Sequence, residues 1–306
     1  MSADETITTR TRLGFIGLGY LGSRIVRRLA AAGFPLIVWD VDERKATQFS
    51  GLGVSPAPTV AELARNVGVV LSCLPDDRVV EDVYFRAGQV LENTQRGATV
   101  IELSTVAPKT SQRLHEAGCK LGVSALDVAI SGSTAAAESG RLTLFGGGER
   151  ADFEAAEPIF RAIAAQWFYM GPSGSGVAMK LVVNTLLGVG MQALAEGLAL
   201  GSKLGLPHDL LFGTLAKSAV VAPALIGKLA SAERSDYTPQ FPIRLMDKDF
   251  TLILDAAGNL NLWMPTTAAA AAISARETAS GPEEDFSAVV RHMEKAAMQE
   301  DWPSWD

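Results

Sequence analysis

The chain has 306 residues, 48% apolar and 20% charged, with a formal net charge of −7. This composition excludes disorder and offers no basic stripe for nucleic-acid phosphates. Two cysteines, Cys73 and Cys119, are too few and too scattered for a disulfide framework or a metal site, and read as thiols of a reducing, cytoplasmic compartment. Residues 1–11 are polar, carry both charge signs and lack an apolar core, so they are expected to form a disordered tail and not a signal peptide or membrane anchor.

The apolar run Leu13–Ile16 turns through Gly17-Leu-Gly-Tyr-Leu-Gly22 into a segment of helical period that ends near Gly33. This is the pattern of a dinucleotide site. Gly17 permits the tight turn, Gly19 lets backbone approach a pyrophosphate, Gly22 lets helix and strand pack closely, and Tyr20 and Leu21 complete the loop. A second apolar run, Leu36–Trp39, ends at Asp40, about 20 residues on, where an acid is expected to accept from a ribose diol and repel a 2′-phosphate. That favours NAD over NADP, while Arg44 and Lys45 nearby leave NADP open.

Further runs at Val67–Leu74, Ala98–Leu103, Val123–Val128, Leu142–Phe145 and Gln166–Tyr169 alternate with helical segments. The expected class is α/β: a Rossmann-like, doubly wound, mainly parallel sheet over residues 12–172, binding ligands at the carboxyl ends of its strands. After Gly171-Pro-Ser-Gly-Ser-Gly176 the strand signal stops, which predicts an all-helical domain over 173–306 for substrate and dimerisation. Ala178 to Leu204 reads as one interdomain helix on the order of 40 Å long. Lys180, Asn184, Gln192 and Glu196 interrupt its apolar tract and would be costly in lipid, so no membrane partner is expected. Such a helix, with the alanine-rich Ala268–Ala275, predicts a homodimer or homotetramer.

Lys180 and Asn184 lie four apart, on one helix face. The only acid on that helix, Glu196, is sixteen residues off, about 24 Å along the axis. A lysine so placed would have a depressed pKa suited to proton transfer; equally, it could snorkel to water or pair with an acid from another element. Ser131, Gly132 and Ser133 follow a strand and would suit a carboxylate, or could form an ordinary N-capped turn. Ser104-Thr105 is similarly open. His115, His208 and His292 have no ligand spacing, so no metal is expected.

Taken together these segments resemble the β-hydroxyacid dehydrogenase family, on Gly14 to Gly22, Ser104-Thr105, Asp127-Val-Ala-Ile-Ser-Gly-Ser133, Gly174 to Asn184 and Phe241-Pro-Ile-Arg-Leu-Met-Asp-Lys-Asp249. The last of these, with Ser131-Gly-Ser133, looks most like the glyoxylate/succinic semialdehyde reductase branch. The resemblance implies an NAD(P)-dependent oxidoreductase that interconverts a small hydroxy acid and its semialdehyde or glyoxylate-type carbonyl. It implies Lys180 as general acid/base, with Asn184 orienting substrate and lysine and Ser131, Gly132 and Ser133 holding the carboxylate. Leu74, Pro75, Thr105 and Lys248 would contact the cofactor, and Phe241 and Asp249 would close the site. Val128-Ala129 departs from the family's alanine-proline, and Asp40-Val-Asp42 from the Asn-Arg-Thr-like triplet of NADPH-preferring members. Two other readings are an imine reductase, which resembles this architecture with an aspartate or tyrosine at the Lys180 position, and a silent dinucleotide-binding scaffold, which tends to lack the lysine. A phosphogluconate-type decarboxylase needs a longer helical domain and phosphate-binding basic residues absent here.

Overall fold

The computed structural model describes residues 7–50, 53–86 and 89–298. They form two compact units, one up to Lys180 and one from Leu181 onward. Residues 1–6 of the expected tail lie outside the described residues; Ile7 is buried in the first unit's core, so ordered chain begins before residue 12.

The first unit holds a sheet of eight strands: β1 (Leu13–Ile16), β2 (Leu36–Trp39), β3 (Val54–Pro56), β4 (Val69–Ser72), β5 (Thr99–Glu102), β6 (Ser124–Ser131), β7 (Leu142–Gly147) and β8 (Ala164–Gly171). Their order is β3-β2-β1-β4-β5-β6-β7-β8, parallel throughout except for the antiparallel β6 and β7. β1 and β4 are buried along their whole length, as expected of strands covered by helices on both faces. One apolar layer gathers Phe15, Ile25, Leu29 and Phe160; the other gathers Ile16, Leu63, Val70 and Tyr84. β3 carried no strand signal in the sequence, because it is three residues long with Ser55 and Pro56 exposed at the edge. Strand order reverses between β1 and β4, the point where open α/β sheets bind ligands.

The helix Ser175–Lys203 begins in the first unit and continues into the second. Its 29 residues span about 43 Å. Among the described residues it is the one helix long and apolar enough to cross a membrane; Met191, Leu194, Ala195 and Leu198 nonetheless pack into the second unit's core with Phe212, Leu229, Ile243, Phe250 and Val290. The second unit's other helices are His208–Leu215, Pro223–Glu233, Ile243–Asn259, Pro265–Ser280 and Val289–Met298. In Pro265–Ser280 the buried residues Thr267, Ala270, Ser274 and Glu277 recur at helical spacing and define its inward face.

Candidate active site

Three glycines shape the turn after β1, each for its own reason. Gly17 has φ +93°, and a Cβ there would stand 2.3 Å from the Cys73 carbonyl oxygen after β4. A Cβ at Gly22 would stand 2.0 Å from the Gly17 oxygen. Gly19 meets nothing within 4 Å, so its backbone is open to a ligand. The helix Gly22–Ala31 starts at Leu21 without a side-chain cap. Uncapped N–H groups behind a tight glycine turn fit a pyrophosphate.

Asp40 at the end of β2 is buried, and its carboxylate is already engaged. One oxygen accepts the Leu18 N–H at 2.7 Å, and the other accepts the Asp42 N–H at 2.9 Å and lies 3.5 Å from Lys45 Nζ. It therefore braces the glycine turn from the neighbouring strand. The Arg44 guanidinium holds the half-buried Asp42 with two bonds, at 2.9 and 3.0 Å, and keeps that carboxyl below its usual range.

Two segments follow the next strands, Leu74-Pro75 after β4 and Ser104-Thr105 after β5. They are tied together: the Leu74 N–H donates to Ser104 Oγ at 2.6 Å. Below them the fully buried Glu102 accepts the Ser104 N–H at 2.7 Å, and burial pushes its carboxyl up to about 7. An unfolded glutamate near its ordinary 4.5 loses its proton while the folded one still holds it. The contribution of Glu102 to stability is therefore full below about pH 4.5 and falls as pH rises towards 7, by on the order of a few kcal/mol. Denaturant titrations at pH 5 and pH 8 are expected to show a drop that Glu102→Gln reduces; an equal drop in the variant would assign it to other groups.

β6 ends at Ser131 and passes through Gly132, at φ +141°, to Ser133. Ser133 caps the short helix Thr134–Glu138, its Oγ accepting the Ala136 N–H at 3.3 Å. That is the N-capped turn, with Gly132 and Ser133 exposed and Ser131 half-buried. The Ser133 O–H is still a donor.

The residue that seats the long helix is Asp127 on β6, which sequence reading did not single out. Its buried carboxylate accepts the Gly174 N–H at 2.8 Å and the Val177 N–H at 3.0 Å, capping the helix from 47 and 50 residues away. Burial pushes this carboxyl up while those bonds pull it down. The pair of glycines before Lys180 follows from this seating: Gly174 has φ +92°, and a Cβ at Gly176 would stand 2.4 Å from the carbonyl oxygens of Asp127 and Phe145. Lys180, in the second turn, is half-buried and is the last residue of the first unit.

Asn184, one turn on, is fully buried in the second unit. Its Nδ2 donates to Asp249 Oδ2 at 2.5 Å, and Lys248 Nζ stands 2.9 Å from the other oxygen of Asp249. The fold thus brings Asn184, Asp249 and Lys248 together across 65 residues. Phe241 packs edge-on against Phe286, and its N–H donates to Asp285 Oδ2 at 3.0 Å. Asp285, also missed in the sequence, is buried against Lys228 Nζ at 2.6 Å and fixes the backbone of that turn.

Residues 12–171 match the family model for the NAD binding domain of 6-phosphogluconate dehydrogenase, and residues 174–293 match that for the NAD-binding region of NADP-dependent 3-hydroxyisobutyrate dehydrogenase. Glyoxylate/succinic semialdehyde reductase 1 of Arabidopsis thaliana is 35% identical over 91% of this chain and 96% of its own length. The 2-(hydroxymethyl)glutarate dehydrogenase of Eubacterium barkeri is 31% identical over 93% and 95%. A structure of Mycobacterium tuberculosis 3-hydroxyisobutyrate dehydrogenase with L-serine superposes with a TM-score of 0.84 at 27% identity, covering 93% of this chain and 99% of that one. The chain accordingly belongs to the β-hydroxyacid dehydrogenase family, as an NAD(P)-dependent oxidoreductase acting on hydroxyl groups.

Proposed function

We propose that this enzyme interconverts a short carboxylate-bearing hydroxy acid and its semialdehyde or glyoxylate-type carbonyl, with Lys180 as general acid/base and NAD preferred over NADP. The observation that carries the reading is the capping of the long helix by Asp127, which fixes the start of the Lys180 helix on β6 of the sheet that bears the glycine turn. Bound NAD(P)H supplies the hydride. Lys180 holds a proton at Nζ for the carbonyl oxygen and stabilises the alkoxide charge that develops there. In the oxidative direction the same nitrogen, neutral, takes the hydroxyl proton. Ser131, the open Gly132 backbone and the Ser133 O–H are assigned to the substrate carboxylate. Asn184 Oδ1, buried and without a hydrogen-bond partner among the described residues, is an acceptor for an ammonium or hydroxyl donor. Thr105, Leu74, Pro75 and Lys248 are assigned to the cofactor, and Phe241 and Asp249 to the substrate.

The cofactor preference is supported by the guanidinium of Arg44, four residues past Asp40, being held by Asp42. The test is cofactor absorbance with NADH or NADPH against glyoxylate, succinic, methylmalonate and tartronate semialdehydes and a cyclic imine, and with NAD(P)+ against L-serine. Turnover of a carboxylate-bearing member is expected, faster with the unphosphorylated cofactor. Turnover of the imine alone would overturn the reaction, and binding without any turnover would favour the scaffold.

Homo-oligomerisation in a soluble compartment is part of the same proposal. Val182, Leu186 and Leu200 are exposed on the long helix and fall within about 40° of one another around its axis, an apolar stripe that a second copy would cover. Light scattering should return a multiple of 32.3 kDa; a monomer would sink this point alone.

A further inference from the structure

Four polar side chains lie in the centre of the first unit where apolar ones would pack at less cost. Ser72, Tyr84, Glu102 and Ser104 are all buried, at 0, 0, 0 and 3% exposure. They form one chain of hydrogen bonds. The Tyr84 hydroxyl is 2.5 Å from Ser72 Oγ, which bonds one oxygen of Glu102; the other oxygen accepts the Ser104 N–H, and Ser104 Oγ accepts the Leu74 N–H. Unpaired, each of these groups would be expensive to bury, so the chain persists as a unit. Its two outlets are the backbones of Leu74 and Ser104, one just past the end of β4 and the other just past the end of β5. Those are the strand ends next to the crossover where the sheet's order reverses.

We propose that Glu102 is a positioning residue for the dinucleotide: through Ser104 and Ser72 it sets the spacing of the Leu74-Pro75 and Ser104-Thr105 segments against which the cofactor lies. This rests on the assignment of those two segments to the cofactor. A carboxylate suits the task because its two oxygens can grip two strands at once, Ser72 of β4 and the backbone beyond β5. The groups that face it are Ser72, Ser104, the Tyr84 phenol and, through its charge, Asp77 at the start of the helix Asp77–Phe85. An ionised carboxylate is the stronger acceptor, so its grip on the Ser72 and Ser104 donors tightens as it loses its proton.

The experiment titrates NADH and NADPH into wild type, Glu102→Gln and Ser104→Ala by fluorescence at pH 6 and pH 8, alongside KM and kcat. Both variants are expected to weaken nucleotide binding on the order of tenfold, with kcat at saturating cofactor changed far less. The wild type should bind more tightly at pH 8 than at pH 6, and Glu102→Gln should lose that difference. Unchanged binding in Ser104→Ala, or a pH difference that survives in Glu102→Gln, would overturn the proposal. A uniform fall of melting temperature, binding and kcat with no pH component would mark Glu102 as merely structural, and so would also overturn it. Ser104→Ala decides the matter if Glu102→Gln fails to fold. Binding is read directly, so the outcome is independent of whether Lys180 is the proton donor.

Discussion

Lys180→Met is expected to lower kcat by about 10²–10⁴-fold while leaving nucleotide binding within a few-fold of wild type. Methionine matches the length of the lysine stem and fills a half-buried position on the helix without its charge. The change therefore removes the proton and the cation and little else. If Lys180 serves the carbonyl oxygen, its loss forfeits both proton transfer and stabilisation of the developing alkoxide. A variant that keeps its turnover would exclude Lys180 as the acid, and one that loses nucleotide affinity in step with kcat would place the lysine on the cofactor.

Asp127→Ala is expected to be the most damaging substitution for the fold around that lysine. It strands the Gly174 and Val177 N–H groups in a buried place and removes the anionic cap of the helix. At about 1–3 kcal/mol for each of the two orphaned donors, the loss is about 2–6 kcal/mol. That corresponds to a fall of about 5–15 °C in the melting of the first unit, which ends at Lys180. The helix start would also lose its fixed seat on β6, so kcat should fall by about 10²-fold through misplacement of Lys180. Asp127→Asn keeps one acceptor oxygen and should recover part of the stability, since its amide cannot accept the second N–H. Thermal melts with kcat on the same samples check this. A wild-type melting temperature in Asp127→Ala would mean that Gly174 and Gly176 alone seat the helix.

The dinucleotide turn was legible because its requirements are local. Gly17, Gly19 and Gly22 lie within six residues of one another, Gly17 at φ +93° and Gly22 where a Cβ would strike the Gly17 oxygen; only the Cys73 oxygen against Gly17 comes from a distant part of the chain. The alternation of strand and helix was legible for the same reason, since β1 is a continuous apolar run buried along its length and β4 and β5 are apolar but for Ser72, Thr99 and Glu102. β3 escaped because an edge strand of three residues needs no apolar pattern. Asp40 was legible by its spacing, whereas its bonds to the Leu18 and Asp42 N–H groups, which brace the glycine turn, exist only in the fold. The second unit yielded only its helical class, as its helices bury their faces against partners far along the chain.

By itself, the sequence determined a dinucleotide-binding α/β unit, a helical unit after residue 171, and a lysine and asparagine on one face of the helix between them. Hydrogen bonds within a turn and apolar periodicity along an element suffice for that. Only the tertiary structure decided which acids hold these pieces in place. Asp127 reaches the helix start from 47 and 50 residues away, Glu102 joins Ser72 across 30, and Asp285 meets Lys228 across 57. A buried carboxylate is stable only where donors converge on it from several strands and turns, and that convergence exists only once the chain has folded.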